Sequence, residues 1–318
     1  MIRILAMAVG CLALTACGTA DPAAPVLSTA YELPGAAVYP EGIALDARTG
    51  TTYVGSYADG TVFRAGADAT TAEVFLPAGA DGRKTTNGLR VDRDGRLWVI
   101  DSTVGVMVYD TASRDLLARF EVADTDPRFV NDLAFGADGS AYLTDSIRNV
   151  VYRASLADAR AGRGALTVAA DLGPILGPRD PKTFELNGIA ADEAGTYLLV
   201  VAMSAGELYR IDLAGSEPIR KVALTGGDMR NGDGLELRGD TLWVVHNTAD
   251  TISRWTVTDH GRAAARDGEF HDPALDIPTT MVHSGDRALV VSSQFDKGGP
   301  MGGEEEPATF VVSAVDGF

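Results

Sequence analysis

The stretch at residues 86–101, TNGLRVDRDGRLWVID, decides the fold because it is one copy of a repeated pattern. The pair Asn87-Gly88 leads a short alternating strand, an Asp/Gly turn follows, and a second strand of mainly apolar residues comes next. Taken alone, Asn-Gly indicates only a turn, since both residues tolerate positive φ. The pattern recurs in five other segments: PEGIALDARTGTTYVGSY, VNDLAFGADGSAYLTDS, LNGIAADEAGTYLLVVA, GDGLELRGDTLWVVHN and PTTMVHSGDRALVVSSQF.

The spacing of these repeats predicts the architecture. The second residues of the six segments are Glu41, Asn87, Asn131, Asn187, Asp233 and Thr279. They are separated by 46, 44, 56, 46 and 46 residues, which is the length of a propeller blade. Most units continue with a third and a fourth strand, such as VMVYD and LLARFEV, so each unit is expected to form a four-stranded blade.

The last repeat is one strand short, because only ATFVVSAV at residues 308–315 follows RALVVSS. The segment VLSTAYEL at residues 26–33 reads as a strand and is expected to supply the missing outer strand, which would leave no unpaired blade. We therefore predict an all-β fold. We expect residues 26–318 to form a single six-bladed β-propeller, closed by pairing of the N-terminal strand with the last blade.

The composition agrees with a turn-rich β fold and disfavours a nucleic-acid partner. The chain has 318 residues, of which 46% are apolar, with 36 Gly and 14 Pro. Its formal net charge is −17 and no basic run occurs, whereas binding to a phosphate backbone depends on clustered Lys and Arg. We expect a monomer whose partner is a small-molecule substrate.

The first residues indicate export and a lipid anchor. Residues 1–17, MIRILAMAVGCLALTAC, combine one Arg, a short apolar run and small residues, as a signal peptide does. The end of this segment is similar to a lipobox, which predicts that Cys17 is lipidated, and residues 18–25 then form a short tether. The alternative is ordinary cleavage near Ala20. We expect a bacterial lipoprotein of the cell envelope that contacts the membrane only through its lipid anchor.

The six repeated polar residues are candidates for a metal site. The innermost strand of each blade begins beside the central channel, so residues at the same register form a ring around one axis. These side chains offer carboxylate, amide and hydroxyl oxygens, which calcium prefers, whereas zinc favours His or Cys. The alternative is that all six serve only turns at strand entry, although a turn gains nothing from a glutamate at position 41.

The motifs YPEGIALD, NDLAFGADG, LNGIAAD and GDGLEL resemble the senescence-marker-protein/gluconolactonase family, which includes regucalcin. Diisopropylfluorophosphatase and paraoxonase are similar more distantly. The resemblance implies a divalent ion on the axis, usually calcium, bound by Glu41, Asn187 and Asp233. A further Asn that contacts substrate or metal in the family corresponds to Asn131.

The sequence departs from this family at one arginine. Regucalcin-like members place an Arg two residues before the Asn at position 131 to hold a sugar-type substrate, whereas Arg128 lies three residues before it. Because a strand alternates faces, the shift is expected to direct Arg128 elsewhere. The dyad of paraoxonase-like histidines is not visible either, and the three histidines His260, His271 and His283 are interpreted as surface or packing residues.

Other residues at the same end of the propeller are candidates for the wall of a substrate pocket. Asn87 and Thr279 would line the channel, and Arg128 is included among the candidates. The ends of the second strands contribute His246, Tyr57, Asp101, Asp145, Ser204 and Gln294. The alternative is that each of these six caps a β-turn. Two long connections, residues 172–185 and 296–307, fall on this face, and the second is either a lid or a disordered acidic hairpin.

These observations predict a calcium-dependent hydrolase of a lactone or related ester. The candidate catalytic residues are Asp233 and Asn131, and Asp233 is expected to orient or deprotonate the attacking water. A different class is a non-catalytic binding propeller whose metal only stabilises the channel. A third is a biosynthetic enzyme of the strictosidine-synthase-like type.

The lipobox hypothesis predicts that Cys17→Ser releases the protein into the soluble fraction, because the tether has no other affinity for a membrane. Fractionation followed by immunoblotting measures this, with Cys11→Ser as the control that keeps the anchor. A Cys17→Ser protein that stays with the membrane after a salt wash would contradict lipidation at this site.

Overall fold

The computed structural model describes residues 24–124, 126–177, 182–213 and 219–318. The expected signal peptide, Cys17 and most of the tether lie outside the described residues, as do residues 178–181 of the connection at 172–185. No helix among the described residues is long and apolar enough to cross a membrane.

Strands dominate the described chain and form six sheets, as the repeats predict. The first strand is β1 (Val26–Glu32). Blade 1 contains β2 (Pro40–Asp46), β3 (Thr51–Ser56), β4 (Val62–Ala65) and β5 (Glu73–Leu76). Blade 2 contains β6 (Leu89–Val91), β7 (Arg96–Asp101), β8 (Gly105–Asp110) and β9 (Leu116–Glu121).

Blade 3 contains β10 (Val130–Phe135), β11 (Ala141–Asp145), β12 (Val150–Ala154) and the outer strand β14 (Thr167–Asp171). Helix α1 (Leu156–Arg160) and strand β13 (Arg163–Ala165) lie between β12 and β14 in the chain. Helix α2 (Gly173–Leu176) precedes blade 4, whose strands are β15 (Leu186–Ala191), β16 (Tyr197–Ala202), β17 (Glu207–Asp212) and β18 (Ile219–Lys221).

Strand β19 (Ala223–Thr225) leads to blade 5, which contains β20 (Gly232–Arg238), β21 (Thr241–His246), β22 (Thr251–Thr258) and β23 (Ala263–His271). Blade 6 contains β24 (Pro278–Ser284), β25 (Arg287–Ser292) and β26 (Val311–Asp316). Short 3-10 helices occur at Ala80–Gly82, Asn247–Ala249, Asp259–Gly261 and Pro273–Leu275.

The predicted ring closure is confirmed. Strand β1 pairs antiparallel with β26, from Val26 opposite Asp316 to Glu32 opposite Val311, and so becomes the outer strand of blade 6. The hydrogen bond from the Leu33 backbone N to Phe310 O, 2.8 Å long, extends this pairing. The two ends of the described chain therefore hold one blade together.

The sequence pattern did not predict two short edge strands. Strand β13 pairs in parallel with β9 of blade 2, and β19 pairs in parallel with β23 of blade 5. The segment IRKVAL at residues 219–224 is thus divided between blades 4 and 5. These strands link neighbouring blades at the rim of the propeller.

Six apolar clusters hold the blades together, one at each interface between neighbours. In the cluster between blades 2 and 3, for example, Trp98 stacks on Phe120 at 5.8 Å between ring centroids and contacts Phe135 of the next blade at 5.5 Å. Because each blade buries both faces against its neighbours, the blades stabilise one another.

The inner strands share a local irregularity at the repeated polar residue. In five of the six blades the pairing between the first and second strands shifts register at this point, for example between Leu186 and Ile189, which is the signature of a β-bulge. In blade 2 the same position directly precedes β6, with Asn87 N bonded to Ile100 O. Bulges redirect side chains, and here they lie where the ring residues are.

The glycine after the ring residue serves close packing between inner strands. A Cβ at Gly42 would lie 2.2 Å from Asn87 O, and one at Gly188 would lie 2.2 Å from Asp233 O. Gly88 and Gly234 face the next blade at similar distances. None of these four glycines has a positive φ, so the turn interpretation of the Asn-Gly pair is wrong.

We predict that Gly188→Ala destabilises the propeller by about 3 kcal/mol or more, because the backbone of blade 5 cannot yield to the new methyl group as a side chain could. Gly66→Ala is the matched control, since a Cβ there meets nothing within 4 Å, and it should change stability by less than about 1 kcal/mol. Urea unfolding measures both. Equal midpoints would show that the inner strands can move apart.

Candidate active site

The bulges bring the ring residues together at one end of the channel. Asn87 hydrogen-bonds to the Glu41 carboxylate, and Thr279 Oγ1 donates to Glu41 O at 2.6 Å. Asn187 hydrogen-bonds to Asp233 across the next interface. The side chains of blades 1, 2, 4, 5 and 6 are thus linked in pairs around the axis.

The ring is buried but not sealed. Glu41, Asn131, Asn187 and Asp233 retain 4–8% of their surface exposed. Asn87 and Thr279 are 1% exposed, so they support the ring from within. Each of the four candidate metal ligands thus keeps a small accessible surface.

Burial makes the two ring carboxylates costly to ionise. Burial, then the nearby charges of Asp233 and Asp132, raise the pKa of Glu41 well above its usual range. Burial also raises the pKa of Asp233 to about 7, against the opposing hydrogen bond that Asn247 Nδ2 donates to Asp233 Oδ2 at 2.9 Å. A cation between these groups would favour the ionised forms of both.

Asp132 is a third buried carboxylate that sequence reasoning missed. It accepts hydrogen bonds from Leu133 N at 2.8 Å, from Arg90 Nη2 at 3.2 Å and from Ile189 N at 3.4 Å, so it connects blades 2, 3 and 4. Burial raises its pKa. Its sequence signal was its position directly after Asn131, since a bulge can place two consecutive side chains near the axis.

The charges and the free acceptor at this site fit a divalent ion. When ionised, Glu41, Asp132 and Asp233 carry three negative charges, and Arg90 balances one of them, which leaves the charge that a divalent cation neutralises. Asn131 Nδ2 donates to Ser146 Oγ at 2.9 Å, whereas the buried Asn131 Oδ1 has no hydrogen-bond partner. A buried amide oxygen without a hydrogen-bond partner is suited to act as a calcium ligand.

The donor set is one of oxygens. No three His, Cys, Asp or Glu side chains of the described ranges lie together as a metal cluster, so a site here depends on the amide oxygens of Asn131 and Asn187 beside the carboxylates. Calcium accepts such amide and carboxylate sets, whereas zinc prefers nitrogen and sulfur.

His246 does not have the free ring nitrogen that a pocket role would need. Its Nδ1 is bonded to Arg230 O at 2.7 Å and its Nε2 to Ser253 Oγ at 2.6 Å. Burial lowers the pKa of His246, so the neutral ring is favoured. These contacts give it a structural role within blade 5.

Arg128 and Tyr57 differ in their relation to the ring. The Arg128 guanidinium bonds to the carbonyls of Val122, Asp124 and Asp126 on its own loop, in agreement with the expectation that the shift directs it elsewhere. The pKa of Tyr57 is raised by burial and then by the charges of Glu41 and Asp101, so its phenol is within electrostatic reach of the ring. Tyr57 is therefore the better candidate for a pocket wall.

Several other predicted wall residues act as caps. Asp101 accepts from Lys84 N at 2.7 Å and from Thr103 N at 2.9 Å. Asp145 accepts from three backbone amides, and Gln294 bonds to both backbone groups of Ala308. Ser204 donates to Glu185. The turn-cap alternative describes Asp101 and Asp145, whereas Gln294 and Ser204 bond to neighbouring segments.

The connection at residues 296–307 is ordered against the ring end. Gly299 and Gly302 form a bridge within it, and Tyr39 Oη donates to Lys297 O at 2.9 Å. Lys297 also pairs with Asp276. A disordered hairpin does not describe this segment, which lies beside the residues that precede Glu41 and Thr279.

The opposite end of the channel opens into a cavity of about 360 Å³ lined by all six blades. There His283 Nδ1 lies 2.6 Å from Glu236 Oε2, and its ring packs on Trp243 at 4.3 Å. The packing interpretation of His283 agrees with these contacts. A cavity of about 720 Å³ between the outer parts of blades 1 and 2 touches none of the ring residues.

Comparison with known proteins supports the fold that the resemblance implied. No protein-family model and no curated protein matches the sequence. Among solved structures, a gluconolactonase from Xanthomonas campestris has a TM-score of 0.64 and 18% identity, covering 91% of this chain and 89% of that one.

Two further structures show the same similarity in fold. The calcium-binding protein regucalcin from Agrobacterium tumefaciens has a TM-score of 0.61 and 15% identity, covering 89% of this chain and 91% of that one. A virginiamycin B lyase from Staphylococcus aureus has a TM-score of 0.60 and 13% identity, covering 92% and 99%. The chain thus shares the six-bladed propeller of gluconolactonase and regucalcin, at identities that establish the fold alone.

We predict that calcium stabilises the protein more at pH 8 than at pH 5. Without metal, the raised pKa of Asp233 adds stability that is complete below about pH 4 and is lost as the pH rises through about 7. Calcium needs the ionised carboxylate, so it competes with the proton at low pH.

At pH 8, calcium at about a hundred times its dissociation constant should add about 2.7 kcal/mol relative to chelator. Thermal unfolding at both pH values measures this, with Asp46→Asn as a control that removes a buried carboxylate outside the ring. Unchanged midpoints in wild type would rule out an axial calcium site.

Proposed function

We propose that this protein is a calcium-dependent hydrolase of a lactone or related ester. The observation that carries the proposal is the unpartnered Asn131 Oδ1, which belongs to the same ring of inner-strand residues as the buried carboxylates Glu41 and Asp233. The fold shared with a gluconolactonase and with regucalcin supports both the reaction class and the metal.

Glu41, Asn187, Asp233 and Asn131 would hold the ion. When bound, calcium supplies a Lewis acid that polarises the ester carbonyl and stabilises the developing oxyanion. The hydrogen bonds from Asn247 and Asn187 orient the Asp233 carboxylate, which accepts the proton of the attacking water. Ser146 fixes the Asn131 amide so that its oxygen is directed consistently.

Asp132 would act from outside the ligand set. Its hydrogen bond with Arg90 and its charge influence the pKa of both ring carboxylates, so it stabilises positive charge at the axis without contacting the reacting ester. It is a positioning residue in this proposal.

The proposed location is outside the cytoplasm, through the lipid anchor on Cys17. Val26 pairs with Asp316 and Asp316 with Arg287, at the end of blade 6 opposite the ring, so a tether before Val26 would leave the ring end accessible.

A screen of lactones, aryl esters and phosphotriesters, with calcium and with chelator, tests the proposed reaction. Calcium-dependent hydrolysis of a lactone or ester supports it. A non-catalytic binding propeller would bind such a compound and release it chemically unchanged, and that result would contradict the hydrolase.

We predict that Asp233→Asn lowers kcat by about a hundredfold even at saturating calcium, because the amide keeps an oxygen ligand but cannot accept a proton from water. Calcium should also bind more weakly, since one charge is lost, so calcium titration must precede the kinetic measurement. Asp46→Asn makes the same chemical change at the far end of β2 and should leave kcat unchanged. Normal turnover by Asp233→Asn would mean that another group takes the proton.

A further inference from the structure

Four aromatic side chains form a continuous series of contacts that we call the aromatic arc: Phe295, Tyr57, Phe129 and Phe184. Ring centroids are separated by 5.6 Å between Phe295 and Tyr57, 6.4 Å between Tyr57 and Phe129, and 4.7 Å between Phe129 and Phe184. These distances are within the range of favourable aromatic pairs.

The arc lies at the ring end of the channel. Phe129 precedes Asn131 by two residues, and Phe184 precedes Asn187 by three. The Tyr57 backbone N donates to Tyr39 O at 3.1 Å, two residues before Glu41.

Phe295 lies near the same end, because Ser293 N donates to Ile277 O at 3.1 Å, two residues before Thr279. The arc therefore lies among the segments that lead to the ring residues of blades 6, 1, 3 and 4, and these ring residues include every candidate metal ligand except Asp233.

Part of this arc has no role in the core. Phe129 and Phe184 belong to none of the six apolar clusters of the described residues. Phe184 is 43% exposed although it contacts Phe129 edge to face. An exposed aromatic surface at the entrance to a polar site indicates a ligand with apolar faces.

Four polar side chains at the mouth, within the described part of the chain, are held by internal hydrogen bonds and are not free to recognise a polyhydroxylated ring. The guanidinium of Arg128 is bonded to its own loop. Asp101 and Asp145 are bonded to backbone amides at turns, and Gln294 is bonded to Ala308. A sugar would leave several hydroxyls facing phenyl rings, at a cost in lost hydrogen bonds to water.

We propose that the substrate carries an aromatic ring or a comparable apolar group next to its scissile carbonyl, and that the aromatic arc binds this group. An aryl lactone fits this description and a sugar lactone does not. The proposal rests on the proposed hydrolase function, because the carbonyl must reach the ring while the apolar group contacts the arc.

The test compares dihydrocoumarin with glucono-δ-lactone, with calcium present. Wild type should show a kcat/KM at least tenfold higher for dihydrocoumarin. Phe184→Ser should lower this value at least fivefold, chiefly through KM, and Phe184→Leu should restore most of it. Val168→Ser removes an apolar side chain that is 58% exposed on β14, away from the arc, and should change nothing.

Binding of the corresponding lactams, which resist hydrolysis, separates this proposal from the hydrolase proposal. Isothermal titration should show that 3,4-dihydroquinolin-2-one binds at least tenfold more tightly than glucono-δ-lactam, with the preference reduced in Phe184→Ser. Equal affinities, or no effect of Phe184→Ser, would overturn the role of the arc. Tight binding of the aromatic lactam without hydrolysis of either lactone would overturn the hydrolase proposal and retain the proposed ligand class. Hydrolysis of glucono-δ-lactone alone would retain the hydrolase proposal and overturn the proposed ligand class.

Discussion

The close approach of inner-strand backbones around the channel is the constraint on which the rest of the structure depends. Gly42, Gly88, Gly188 and Gly234 let four of the six inner strands lie against the next blade, at its ring residue or at the residue after it. Backbone contacts such as Gly88 N to Asn131 O, at 2.9 Å, then set the spacing of the ring. Carboxylates that repel one another cannot relax by moving outward, because the strands that carry them are in direct contact.

The ring of buried carboxylates is a destabilising feature of a propeller that is stabilised by other contacts. Buried carboxylates such as Glu41 and Asp233 oppose folding when they are ionised without a cation. The apolar clusters between blades supply the opposing free energy, since each contains fully buried side chains such as Trp98 and Trp255. The propeller can therefore contain a ring of buried carboxylates because the apolar clusters between blades stabilise the fold.

The sequence predicts the architecture well because repeat spacing and strand alternation are local properties. Regular intervals between polar pairs gave six blades, and the missing strand of the last repeat gave the closure by β1. The parallel edge strands β13 and β19 were not predictable in this way, because each is only three residues long and depends on a neighbouring blade. Close packing of the inner strands requires glycine, and glycine is also typical of turns, so the sequence pattern suggested turns at these positions.

The site was predicted in part for the same reason. Register alone identifies which residues surround the axis, and contacts join Glu41, Asn187 and Asp233 to their neighbours there. Alternation assigns Asp132 to the wrong face, because it takes no account of a bulge. The internal bonding of His246 and the aromatic arc depend on side chains from separate segments, which no local pattern reveals.

The closure by β1 also orders the events of folding. Val26 of β1 pairs with Asp316 of β26, so blade 6 is complete only after β26 has been synthesised. Until then the ring is open, and the apolar faces of blades 1 and 6 lack their shared cluster. For the exported lipoprotein that we propose, this delay would keep the chain from closing its ring before its final residues have crossed the membrane.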